Sequence, residues 1–415
     1  MRFQSYFNTS LLIIQKYLGN IPLSHYLKHY FSENKKHGAK DRKYITHLCY
    51  CYYRLGYALK ELNVDDRLKV TLFLCNNQAA EWRALFNDEW LNNWYDDLQK
   101  RIQFIQAIYP AFNVKDIFPW QDELSETIDA TEFAQSHLIQ PNLFLRVRPN
   151  KLNQVKQKLA DNKIPFEQWG ENCLALPNTT KIDSLLDINK EAVIQDYSSQ
   201  QVQEFFAIIK SSILNLQSKI SILDCCAGSG GKSILTYDVF GSNIELTVTD
   251  IRSSIIQNLQ KRFREAGIKN YHAFAADITS SQSSANNILT ESCGQLPTSN
   301  YNLIICDAPC TGSGTWTRTP EQLYFFTPNK IEHYTSLQKK IISNVIPQLE
   351  QGGYFLYITC SVFKKENEDM VDFIQKNLPA GKAGFHLQLL KMELLKGYNL
   401  KADTMFAALF TPLSH

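Results

Sequence analysis

Apolar and aromatic residues recur three and four positions apart through 11–18, 44–62 and 90–108, and glycine is scarce before about residue 130. That spacing gathers them on one face of a helix and predicts an all-α region. The pattern changes between 140 and 200. A strand-like run over 142–147 leads into Arg148-Pro149, 151–161 suits a helix, and 173–176 a short strand, so a small α+β segment is expected. From about 200, short apolar runs at 221–223, 244–249, 271–275, 301–306 and 354–358 alternate with helical stretches at 232–239, 253–266, 329–349 and 365–376. Such alternation implies a parallel sheet covered by helices. The tail, over 386–391 and 404–410, is expected to add two strands. The stretch 279–300 is Ser-rich with Asn, Gly and Pro, and reads as an irregular loop with room for one helical turn.

A chain of 415 residues is long enough for roughly two to three domains. Hydrophobic residues make up 44% and charged residues 20%, which fits a globular protein with a real core. No uninterrupted apolar run approaches the ~18 residues of a membrane span. The start, Met1-Arg2-Phe3-Gln4, lacks a signal-peptide core, and the apolar run over 11–14 is too short for one. A cytoplasmic location is therefore expected. In that setting Cys49, Cys51, Cys75, Cys173 and Cys293 read as small buried hydrophobes rather than disulfide partners. Cys306 and Cys310 have no histidine pair nearby, so no metal is expected.

The formal charge of +2 does not advertise a nucleic-acid partner, but local clusters can act where the total does not. One runs Lys35-Lys36-His37-Gly38-Ala39-Lys40-Asp41-Arg42-Lys43; another holds Arg146, Arg148, Lys151, Lys156 and Lys158. Each reads most simply as solvated surface, and functionally as an RNA contact. The aromatic residues Tyr50, Tyr52, Tyr53, Tyr57, Trp82, Trp90 and Trp94 are expected in the core rather than on a base-stacking platform.

Two cysteines carry the candidate chemistry. Cys310 lies in Asp307-Ala308-Pro309-Cys310-Thr311-Gly312-Ser313-Gly314 and Cys360 in Thr359-Cys360-Ser361, each just after a predicted strand. In an open α/β sheet those strand ends face the ligand crevice. A thiolate is a strong nucleophile, and a second thiol can serve as acid or base. Two thiols beside an aspartate suggest covalent chemistry on an electron-poor ring.

The segment from Asp224 through Cys225, Cys226, Ala227, Gly228, Ser229, Gly230, Gly231 and Lys232 to Ser233 joins a strand to a helix through a glycine-rich turn. Glycines let backbone N–H groups approach a ligand closely. A Walker P-loop would need glycine at Cys226, and a dinucleotide fingerprint would need it at Ser233. A looser turn of the S-adenosylmethionine type remains. Asp250, ending the second strand, is placed to accept from ribose hydroxyls, and Asp277, after the third, from an adenine amino group. Either acid alone would equally suit a helix cap.

These residues resemble the RNA cytosine carbon-5 methyltransferase family, the Nop/Sun group. The resemblance rests on Asp224-x-Cys226-Ala227-x-x-Gly230-Gly231-Lys232, on Asp307-Ala308-Pro309-Cys310-x-Gly312-x-Gly314, and on Thr359-Cys360-Ser361 with Glu366-Asn367-Glu368. It extends to Gln195-Asp196-x-Ser198-Ser199-Gln200 and Phe144-Leu145-Arg146-Val147-x-Pro149, and more weakly to Lys40-Asp41-Arg42. It implies a Rossmann-like S-adenosylmethionine-dependent methyltransferase domain over 201–415. A small α+β linking subdomain would cover 136–200, and an all-α NusB-like RNA-binding domain 1–135. It also implies roles. Cys360 attacks cytosine carbon 6, Cys310 assists release, Asp307 hydrogen-bonds the base near nitrogen 3 and also touches the cofactor, and Lys232 orders the loops. S-adenosylmethionine is then expected along Cys226, Ala227, Gly228, Ser229, Gly230, Gly231 and Lys232, with Asp250 and Asp277. One departure stands out: Ser229 occupies the family's usual proline position, which predicts altered loop stiffness. The expected partner is RNA, ribosomal before transfer RNA, acting on a monomer.

Other readings are weaker. An amino-methyltransferase would carry [DNS]-P-P-[YFW] in place of Asp307-Ala308-Pro309-Cys310. A non-catalytic RNA assembly factor would not need both cysteines. A ligase-like ATPase lacks its first glycine.

Overall fold

The computed structural model describes residues 2–213, 219–279, 300–377, 379–380 and 385–413. Most of 279–300, with Cys293, lies outside the described residues. The chain forms two compact units, one of residues 1–124, 128–141 and 315–327, the other of 125–127, 142–314 and 328–415.

The first unit is all-α, with its main helices at Arg2–Lys16, Leu23–Glu33, Ala39–Arg54, Val64–Cys75 and Leu98–Ile108. Phe7, Ile13, Leu27, Ile45, Leu48 and Leu72 meet in its core with Tyr52, Tyr53 and Trp82. The flagged aromatic residues are all buried or half-buried, as their spacing predicts. Arg67 is fully buried, and its two terminal nitrogens donate to the carbonyls of Tyr52, Gly56 and Ala58, which close the turn after Ala39–Arg54. Asp41 accepts from the Gly38 N–H at 2.8 Å and so caps that helix's N-terminus. Lys35, Lys36, Lys40 and Lys43 around it are exposed.

In the second unit, β1 (Leu143–Val147), β2 (Glu167–Trp169), β3 (Cys173–Leu176) and β4 (Ala192–Ile194) form an antiparallel sheet in the order β2-β3-β1-β4. The helix Leu152–Asp161 packs Val155 and Leu159 into the same cluster as Leu145 and Leu174.

The main sheet contains β5 (Ile220–Asp224), β6 (Ile244–Asp250), β7 (Tyr271–Ala275), β8 (Tyr301–Asp307), β9 (Leu349–Thr359), β10 (Pro379–Ala380), β11 (Phe385–Leu395) and β12 (Met405–Pro412). Their order is β10-β11-β12-β9-β8-β5-β6-β7, with β5 to β9 parallel and β10 to β12 antiparallel. This is the expected Rossmann-like arrangement. The strand order reverses at β5, which lies between β6 and β8, and such a switch point opens a crevice at the strands' carboxyl ends. Among the described residues no helix is long and apolar enough to cross a membrane.

Three expectations change. The helix expected to reach 349 stops at Val345; a 3₁₀ turn at Ile346–Gln348 containing Pro347 follows, and Leu349 already begins β9. Proline restricts the residue before it and cannot continue the amide ladder. The last expected helix starts at Glu368, because 364–366 form a 3₁₀ turn whose Glu366 faces the site. Arg146 and Arg148 are not solvated surface. They are 3% and 8% exposed, and both pair with Asp238 on the helix Gly231–Phe240. The shared carboxylate offsets part of the cost of burying two guanidiniums. The pair therefore anchors the helix that starts at the glycine-rich turn.

Candidate active site

The register pairs Asp307 with Ile358, so the loops leaving β8 and β9 start side by side. Cys310 and Cys360, on those two loops, are both half-buried, with their sulfurs 3.3 Å apart. The Gly314 N–H donates to the Cys360 carbonyl at 2.9 Å and ties the loops together. A side chain at Gly314 has no room: its Cβ would lie 2.0 Å from the Thr404 carbonyl oxygen.

Glu366 lies beneath both loops, fully buried. Its carboxylate accepts from the Thr311 N–H at 2.9 Å, the Thr311 hydroxyl, the Ser361 hydroxyl and the Gln338 amide at 3.2 Å. Gln338 also donates to the Pro309 carbonyl at 3.0 Å. Asn367 accepts from the Thr359 hydroxyl at 2.6 Å and donates to the Ser361 carbonyl at 2.9 Å. The Glu366-Asn367 pair thus holds the residues flanking each cysteine. Sequence reasoning placed Glu366 in a motif but assigned it no role, and Gln338 carried no signal.

Its hydrogen bond with Cys360, together with burial, pushes the Cys310 thiol well above the ordinary thiol range. The two sulfurs are within hydrogen-bond reach of each other, and either can be the donor.

Asp307 meets Lys232 at 3.4 Å. Lys232 is buried and donates to the Ser199 hydroxyl at 2.7 Å; Ser199 in turn accepts from Gln195 at 3.0 Å, and Gln195 accepts from Arg146 at 2.6 Å. A polar chain thus runs from Arg146 through the 195–200 motif to the aspartate beside the cysteines. Ser199 was part of a recognised motif, but only the fold reveals that it positions Lys232.

The turn after β5 has the conformation a close-approaching ligand requires. Gly230 adopts φ +84°, and its missing Cβ would lie 2.7 Å from the Phe263 ring. A Cβ at Gly228 or Gly231 would meet nothing within 4 Å, so open space lies against the backbone there. Cys226 is half-buried and Ala227 buried; the Ala227 N–H donates to the Thr249 carbonyl at 2.8 Å. Ser229 is exposed, and Arg262 donates to both its carbonyl and its hydroxyl at 2.8 Å. The hydroxyl gives this turn a side-chain tether that a proline would lack.

Asp250 sits at the carboxyl end of β6, where it was expected, but it is already engaged. Arg252 donates from Nε at 2.9 Å to one oxygen and from Nη2 at 3.0 Å to the other. Burial works against the charged carboxylate, yet the Arg252 bonds outweigh it and hold Asp250 below its ordinary pKa. The Arg252 side chain is 62% exposed, so solvent reaches the outer side of this ion pair. Asp277 is exposed after β7 and accepts from the Thr279 N–H at 2.9 Å and the Thr279 hydroxyl at 2.7 Å. Asp224, fully buried at the end of β5, accepts from Ser233. Burial pushes its carboxyl up to about 7, against the Ser233 hydroxyl.

Residues 211–407 match the family model described as 16S rRNA methyltransferase RsmB/F. Over that segment the chain is similar to the RsmB/F family. Both cysteine loops, the glycine turn and Asp250 fall inside the matched segment. The chain is 25% identical over 277 residues to the Bacillus subtilis "Probable ribosomal RNA small subunit methyltransferase B", covering 66% of this chain and 57% of that one. It is 26% identical over 178 residues to the mouse "tRNA (cytosine(72)-C(5))-methyltransferase NSUN6", covering 43% and 37%. The chain thus spans little more than half the length of the first relative, and less of the second. The crystal structure of PH0851 shares the fold at TM-score 0.64 over 94% of both chains, with 18% identity. NSun6 from Pyrococcus horikoshii, solved with SFG, shares it at TM-score 0.51 over 69% of this chain and 94% of that one, with 13% identity.

Proposed function

We propose that this protein methylates carbon 5 of a cytosine in RNA, through a covalent bond between Cys360 and carbon 6 of the base. The observation that carries this reading is the 3.3 Å approach of two thiols beside the Asp307–Lys232 pair. S-adenosylmethionine, when bound, supplies an electrophilic methyl group. The open backbone at Gly228 and Gly231 and the carboxylate of Asp250 fit it, with Cys226, Ala227, Ser229, Gly230, Lys232, Asp277 and Asp307 completing the residues that would hold it.

Carbon 5 of cytosine is a poor nucleophile. Addition of the Cys360 thiolate at carbon 6 makes it enamine-like. Asp307, held by Lys232, hydrogen-bonds the ring near nitrogen 3 and favours its protonation as the carbon–sulfur bond forms. After methyl transfer water takes the carbon-5 proton, and the freed C–H electrons re-form the C5–C6 double bond as the sulfur leaves. Cys310, against the departing sulfur, assists that release. Glu366 fixes both cysteines in reach of one ring, and such orientation lowers a barrier by pre-ordering the reactants.

Ribosomal RNA is the substrate this reading favours, because the first relative's name specifies it. The helical unit, with its exposed lysines, would select the RNA. Bisulfite sequencing of total RNA from cells with and without the protein tests both points. A ribosomal cytosine that loses protection in the absence of the protein is the expected result. A transfer-RNA site would reassign the substrate. Loss of no site would favour a non-catalytic assembly role.

A further inference from the structure

Three thiols converge at the switch point, and the reaction above uses none of them as a nucleophile. The sulfurs of Cys225, Cys226 and Cys306 all lie within 4.8 Å of one another. Cys225 follows β5 and Cys306 sits in β8; both are buried, while Cys226 is half-buried and gives access. Their backbones are fixed. The Cys225 N–H donates to the Ile305 carbonyl at 3.0 Å, and the Thr249 hydroxyl donates to the Cys225 carbonyl at 2.8 Å. No further Cys, His, Asp or Glu donor joins the three within that distance among the described residues.

Charge decides which ligand suits them. Cys225 and Cys306 lie inside the fold, where net charge without a counter-ion is costly. Three thiolates around monovalent copper would leave a net charge of about −2, and around zinc about −1, in a buried site where uncompensated charge is costly. Zinc would also want a fourth ligand. A trivalent centre leaves a neutral, three-coordinate product. We propose that Cys225, Cys226 and Cys306 form a trithiol site that captures trivalent arsenic, taken up as its neutral trihydroxide. Three As–O bonds break and three As–S bonds form. Each thiol proton leaves with a hydroxide as water, and no atom is oxidised or reduced. The site does not depend on the methyl-transfer reading.

The reduced full chain would be incubated with sodium arsenite, desalted and examined by native mass spectrometry and arsenic-edge X-ray absorption. One arsenic per chain with three sulfur neighbours is expected. Cys225→Ser and Cys306→Ser should each lower retained arsenic at least tenfold. The double variant Cys310→Ser/Cys360→Ser should retain it, which separates this site from the other close thiol pair. Cys226→Ala changes the half-buried position and disturbs packing least; if the serine variants misfold, loss of capture by this one gives the same answer. Retention of arsenic by folded Cys226→Ala or Cys306→Ser would overturn the proposal. So would loss from the Cys310/Cys360 double variant, or a spectrum with two sulfur neighbours.

Discussion

Glu366 receives the Thr311 N–H on one carboxylate oxygen at 2.9 Å and the Thr311 hydroxyl on the other. The second oxygen also takes the Ser361 hydroxyl, so one buried side chain spans the residues next to both cysteines. Glu366→Ala would leave those donors buried without an acceptor. It should lower stability by about 2–4 kcal/mol, on the scale of ~1–3 kcal/mol per orphaned group. Urea denaturation reads this directly. Glu366→Gln keeps one acceptor oxygen and should fold, but methyl transfer should fall roughly 10–100-fold as the loops lose their register. Equal activity in Glu366→Gln and the parent protein would limit Glu366 to a structural role.

The two cysteines should fail in opposite ways. Cys360→Ala should abolish methylation and leave no covalent RNA. Cys310→Ala should block turnover after attack, so protein joined to RNA should accumulate, survive denaturing electrophoresis and vanish with ribonuclease. The double variant should behave like Cys360→Ala. Trapping by Cys360→Ala instead would swap the roles.

Cofactor affinity should depend on Asp250 and be modulated by Arg252. Asp250→Ala should weaken S-adenosylmethionine binding by about 1.5–3 kcal/mol, the scale of charge-assisted hydrogen bonds. Arg252→Ala removes the side chain that occupies the carboxylate, so affinity should hold or rise. Calorimetry on both variants checks the pair. A loss with Arg252→Ala matching that with Asp250→Ala would mean the ion pair itself is needed.

Stability should fall with pH because of Asp224. Its folded pKa is raised from 3.8 to about 7. The stability it contributes is therefore complete below about pH 4 and is lost as pH rises through about 7. Asp224→Asn removes this titration, so the parent should lose roughly 2–4 kcal/mol relative to the variant between pH 4 and pH 8, at ~1.4 kcal/mol per unit. Parallel pH profiles of the two proteins would contradict the assignment.

The exposed lysines of the helical unit should govern RNA affinity. Replacing Lys35, Lys36, Lys40 and Lys43 by Ala should weaken RNA binding and reduce its salt slope by up to about 3, at ~0.7 per phosphate contact on single strands. S-adenosylmethionine affinity should not change. Unaltered RNA affinity at two salt concentrations would remove this face from recognition.

The elements of the parallel sheet were legible along the chain because each obeys a local rule. Runs such as 271–275 are bounded by polar turns, and the glycines at 228, 230 and 231 announce a backbone turn whatever surrounds it. The two cysteine loops were legible because their motifs are contiguous. What sequence order could not supply was which side chains meet across strands. Arg146 and Arg148 look like a basic surface when read in line, and only packing against Asp238 makes them internal. Glu366 lies far from Thr311 in the chain, and the pairing of β8 with β9 brings them into contact. Cys225 and Cys306 likewise face each other only because β5 and β8 are neighbours. Local propensity and motif spacing act over a few residues and so survive in the linear chain. Burial, ion pairing and thiol proximity depend on strand order and register, which only the folded sheet decides.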